Sequence, residues 1–134
     1  MPRLFRQSPL NSIWEGSGNV ICLDVLRAMT REPETAEILV GELELARGAN
    51  SLLDHAINEV KVRLVRGQDA ETGARALVEH AALALQGSLL VRHGPAAIGD
   101  AFCTLRFGEG AGLVYGAGPS SIDVGPILDR AMPR

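Results

Sequence analysis

The chain has 134 residues, long enough to bury one hydrophobic core and too short for two independent ones. A hydrophobic fraction of 46% beside 22% charged residues excludes the charge-dominated composition that keeps chains disordered. The formal net charge of -3 removes any long-range pull toward nucleic acid or an anionic membrane, so such a partner needs a local basic face.

Aromatics make up only 4% of the chain, Ala, Leu and Arg are abundant, and Lys61 is the sole lysine. That balance favours helix over sheet, and no stretch alternates with the period of two that a strand requires. The opening stretch, Met1 to Leu10, holds two Arg and two Pro and no apolar run of signal-peptide length, which points to a cytoplasmic protein. A first helix is predicted after the Gly16-Ser17-Gly18-Asn19 turn, capped by Ser17 or Asn19 and ending near Thr30, ahead of Pro33. A second follows Pro33, with acids at its start and Arg47-Gly48 at its end. The third begins around Asn50 or Ser51 and spaces Leu53, Ile57, Val60 and Leu64 at three and four residues until Arg66-Gly67. Asp69 is a candidate cap for the fourth and longest, which runs to His93 before Gly94-Pro95. Arg75, Glu79, His80 and Gln86 interrupt the apolar window of that helix, so it reads as a buried helix and no membrane span is expected.

Pro95 can open a fifth helix through Ile98, Ala101, Phe102 and Leu105. The glycines at 108, 110, 112, 116 and 118 then form a loop, and Asp123 to Ala131 can add a last turn or two. The expected fold is all-α, a bundle of about five helices in which the first and fourth supply most of the core. Cys22 and Cys103 sit apart in apolar surroundings without C-x-x-C spacing, as buried free thiols do. His55, His80 and His93 lack a second ligand at metal spacing, and no metal site is expected.

The stretch that carries chemistry runs from Pro9 to Arg27, with Trp14-Glu15-Gly16-Ser17 at its centre. A carboxylate beside an indole ring is partly desolvated, which raises its pKa and suits it to act as a general base. Glycines on both sides let a flat ligand approach the backbone, and the free amides of a helix start offer hydrogen-bond donors. The same residues also fit a solvated acidic turn, in which Glu15 only favours the helix dipole and Trp14 fills the core.

Trp14-Glu15-Gly16-Ser17 resembles the aromatic-Glu-Gly-Thr segment of acyl-CoA dehydrogenases, and Pro9 to Arg27 resembles the AidB-like, alkylation-response branch of that family. Downstream, His93 to Ile98, Asp100 to Cys103 and the Ile127-Leu128-Asp129-Arg130-Ala131 ending resemble the carboxy-terminal extension of the same branch. The resemblance implies that residues 1–34 end the carboxy-terminal helical domain of such a dehydrogenase and that 35–134 form the extension packed against it. It implies FAD as cofactor and an acyl-CoA as substrate in the full-length context. It also implies Glu15 as the base that removes the α proton and Gly16 beside the thioester. Ile13, Trp14, Ser17, Gly18, Asn19 and Leu23 are the implied cofactor contacts, the whole stretch from Ile13 to Leu23 lying along the flavin. Ser17 stands where many members have Thr, and keeps the hydroxyl. The family's flavin-holding β-domain is not in this sequence, so the chain by itself is not expected to turn over substrate.

The branch is further associated with binding double-stranded DNA, which implies a duplex-binding role for the extension, and apolar surface left exposed without the rest of such a dehydrogenase is expected to favour homo-oligomers. Lys61, Arg63 and Arg66 on the third helix are the local candidates for phosphate contact. Against them, acids outnumber bases between Thr35 and Ala131, and Glu59 and Arg63 are spaced as an i,i+4 pair on a solvated face.

Overall fold

The computed structural model describes residues 2–12, 18–66, 71–109 and 118–132, and they are helical with no strand among them. In chain order the helices are α1 (Pro2–Gln7), α2 (Gly18–Arg31), α3 (Glu34–Glu44), α4 (Ser51–Arg66), α5 (Ala74–His93), α6 (Ala96–Phe107) and α7 (Gly125–Ala131). A 3-10 segment, Ser8–Ser12, continues α1. The all-α expectation holds: α2 to α6 are the five helices that capping and periodicity predict, and α7 is the last turn or two expected between Asp123 and Ala131. The short α1 was not foreseen. Its six residues include none that is buried.

The α3–α4 corner shows how the chain turns. Leu43 and Glu44 carbonyls accept from the Ala46 and Arg47 amides at 3.1 and 3.0 Å, tightening the helix end into i,i+3 bonds. Gly48 then takes φ of +83°, a backbone conformation that a side chain disfavours. Asn50 starts α4, its Oδ1 accepting from the Leu52 and Leu53 amides at 3.1 and 3.3 Å. Its Nδ2 donates to Asp100 Oδ1 at 3.2 Å, so the same cap fastens α4 to α6.

Helix α5 is central, touching α2, α3, α4 and α6. It starts at Ala74 after Gly73, later than a cap at Asp69 requires; Asp69 itself lies outside the described residues. It ends as expected, at His93, where Gly94 turns out to an extended backbone. Its small residues Ala84, Gly87 and Ser88 are buried and let neighbouring helices come close. A Cβ on Gly87 would stand 3.1 Å from Leu53 Cδ1 and 3.2 Å from Phe107 Cε2. Phe107 in turn packs edge to face on Phe102, the ring centroids 6.0 Å apart.

The core joins Leu43 and Ala46 to Leu53, Ile57 and Val60 of α4, Ala84 of α5 and Cys103 of α6. This corrects the expectation for the first predicted helix: α2 contributes no buried residue, whereas the fourth, α5, buries Ala74, Leu77, Ala84, Gly87 and Ser88 and shares the core with α4. The reason lies in α2's neighbours: among the described residues it packs chiefly on α5 and α3, and Val20 and Ile21 remain exposed. Burial pushes the Cys103 thiol up to about 11, with the nearby Asp100 charge acting in the same direction. Cys22 is only half-buried, unlike the expected fully buried thiol, because it sits on α2.

Candidate functional site at the α2–α5 cleft

The residues expected to carry chemistry begin just ahead of α2. Ile13, Trp14, Glu15, Gly16 and Ser17 lie outside the described residues. Gly18, Asn19 and Leu23 are described, and all three line open space between α2 and α5. One cleft of about 380 Å³ is lined by Asn19, Cys22, Leu23, Glu71, Thr72, Ala74 and Arg75. A second, of about 390 Å³, is lined by Gly18, Asn19, Cys22, Arg75, Val78, Glu79 and Ala82. Asn19, Cys22 and Arg75 belong to both, so the two clefts form one groove along α2 of a size usual for ligand sites.

Gly18 leaves the groove open at its end, since a Cβ there would meet nothing within 4 Å. Asn19 does not cap α2 as expected. It lies inside the helix, and its Oδ1 accepts a hydrogen bond from Arg75 Nε across 56 residues of sequence. In the sequence, Arg75 only interrupts the apolar window of the fourth predicted helix. Nothing in the local sequence marks it as the partner of Asn19, because only the packing of α5 on α2 brings them together.

The other candidates are placed differently. Lys61 is ion-paired with Glu44, and Arg63 Nη2 lies 3.8 Å from Glu59 Oε2, the expected i,i+4 pair. Arg66 is the last residue of α4. Glu44 is the hub of this region. Arg47 grips it through Nε and Nη2 at 2.9 and 2.7 Å and also donates to the Asp54 carbonyl and Asn58 Oδ1. The Arg47 bonds, followed by that of Lys61, hold the Glu44 carboxyl at about 2, well below its ordinary 4.5. Lys61 and Arg63 therefore spend their charge on neighbouring carboxylates, within the i,i+4 and cross-helix pairing of a solvated face.

A smaller cleft of about 270 Å³ between α6 and the segment before α7 is lined by Asp100, Thr104, Ser121 and Asp123. Two of its polar side chains are engaged locally: Thr104 Oγ1 donates to the Asp100 carbonyl and Gly125 N to Asp123 Oδ1, both at 2.9 Å. No group of three or more metal-ligating side chains occurs among the described residues, and no helix among them is long and apolar enough to cross a membrane.

No family model matches the chain. Among curated proteins, "Putative acyl-CoA dehydrogenase AidB" of Escherichia coli (strain K12) is 29% identical to it over 113 residues. The chain is similar to this AidB protein over most of its own length. The match covers 84% of the chain. It covers only 20% of AidB, and the chain therefore spans about a fifth of the relative's length. The all-helical fold agrees with the carboxy-terminal helical domain that the resemblance implies.

Proposed function

We propose that this chain is the carboxy-terminal part of an AidB-like, FAD-dependent acyl-CoA dehydrogenase, and that the α2–α5 groove is one wall of its flavin site. Residues 1–34 belong to the catalytic helical domain in this reading, and 35–134 to the extension that buttresses it. The observation that carries it is the convergence of Gly18, Asn19 and Leu23 on a single open groove directly after Trp14-Glu15-Gly16-Ser17.

The groove's chemistry suits the cofactor. Gly18 permits close approach of a planar ring. The first-turn amides of α2 and the Asn19 carboxamide offer donors, and Leu23, Val78 and Ala82 supply apolar wall. FAD, when bound, would supply the hydride acceptor for oxidation of a CH–CH bond. Glu15 is the base that takes the substrate's α proton, Gly16 lets the thioester approach, and Ile13, Trp14 and Ser17 complete the cofactor contact. A duplex-binding role for Lys61, Arg63 and Arg66 is not favoured by α4, where Glu44 and Glu59 already engage the first two.

The test is titration of FAD into the 134-residue chain, followed by NMR of the backbone amides. One wall alone binds weakly, with half-saturation on the order of 1 mM or just below, and without turnover. Shifts confined to Gly18, Asn19, Cys22, Leu23 and Arg75 are expected. Saturating shifts elsewhere, or none, would remove the groove from the cofactor site.

A further inference from the structure

Arg75 and Asn19 meet across the groove, and hydrogen-bond chemistry fixes how they must be oriented. A guanidinium has donors only, whereas a carboxamide has one oxygen acceptor and one NH2 donor group. Arg75 Nε can therefore engage Asn19 only through Oδ1, as the structure shows. The two N–H bonds of Asn19 Nδ2 are left for a different partner. Rotating the amide to present its oxygen to a ligand would set NH2 against the guanidinium, and that arrangement has no hydrogen bond.

We infer that Arg75 is a positioning residue for the cofactor. By holding Asn19 Oδ1 against α5, it locks the carboxamide so that Nδ2 donates to a hydrogen-bond acceptor of the ligand in the α2–α5 groove. Three observations converge on this. Arg75 and Asn19 line both parts of the groove. Helix α2 has no buried residue of its own to fix its first turn. Glu71, just ahead of α5, and Glu79, one helical turn after Arg75, also line the groove and place carboxylates along the same side as the guanidinium. The ligand chemistry selected is an acceptor, a carbonyl or ring nitrogen, and not a donor. This inference rests on the flavin reading given above.

The experiment combines NMR of the Asn19 side-chain NH2 with FAD titrations of the intact chain and three variants. Arg75→Ala removes the anchor, Arg75→Lys restores one donor, and Asn19→Asp keeps the acceptor that Arg75 needs while deleting the donors. In the wild type, FAD is expected to move the Asn19 NH2 signals. Arg75→Ala should weaken FAD binding roughly fivefold, about the value of one hydrogen bond, and Arg75→Lys should recover part of it. Asn19→Asp should lose as much without any fall in melting temperature. Wild-type affinity in Asn19→Asp, or Asn19 NH2 signals identical in the wild type and Arg75→Ala, would overturn the inference even where FAD binds. If instead Arg75→Ala frees the NH2 signals but FAD moves no groove resonance in the wild type, the flavin reading falls, and the Arg75 role with it, leaving only a packing clasp.

Discussion

Glu42 on α3 and Arg92 in the last turn of α5 meet at 2.5 Å, joining two helices whose contact residues are 50 apart in sequence. Both side chains are partly shielded, at 40% and 23% exposure, so the pair sits near the upper end of what surface ion pairs provide. A double-mutant cycle on Glu42→Gln and Arg92→Gln, read by urea unfolding, should give a coupling of about 0.5–1 kcal/mol that shrinks in high salt.

The Glu44 hub predicts a pH dependence with a definite sign. Its carboxyl is held at about 2 in the folded chain against an ordinary value of 4.5. A depressed carboxyl stabilises the fold above its unfolded value, and that contribution is lost as pH falls through the folded value. Stability should therefore decline between about pH 4.5 and pH 2. In Glu44→Gln, the slope of melting temperature against pH in that window should flatten. An unchanged slope would show that Arg47 and Lys61 do not hold Glu44 in solution.

Gly99 of α6 faces the backbone of α5. A Cβ placed on it would stand 3.2 Å from Val91 Cα and 3.4 Å from Val91 N, atoms that cannot rotate aside. Gly99→Val should force α5 and α6 apart and lower stability by about 1–3 kcal/mol, measured by chemical denaturation. At the fully buried Ile57, truncation to Ala should cost about 2–5 kcal/mol by the same measurement.

The two thiols should differ in reactivity. Cys103 is fully buried and its thiol is pushed up to about 11, so little thiolate is available at neutral pH. Cys22 is half-buried beside the groove. Mass spectrometry during alkylation at pH 8 should find Cys22 modified first and Cys103 modified only as the chain unfolds.

Much of the fold was legible in the sequence because its signals are local. Leu53, Ile57 and Val60 show the buried stripe of α4 by spacing alone, and Asn50 and Gly94 show where helices start and stop. What was not legible depends on which apolar stripe finds a neighbour. Val20 and Ile21 on α2 carry the same periodic signal as α4, but only contacts distant in sequence determine that they stay exposed. The site divides the same way. Gly18, Asn19 and Leu23 could be chosen from the resemblance in the motif, whereas Arg75 entered only through the packing of α5 on α2.

The account stands or falls on whether the α2–α5 groove holds a flavin, and Cys22 reports on that directly because it lines both parts of it. The deciding measurement is the alkylation rate of Cys22 with and without saturating FAD, with Cys103 as the internal control. The account predicts that FAD slows Cys22 and leaves Cys103 unchanged. A Cys22 rate indifferent to FAD would contradict it.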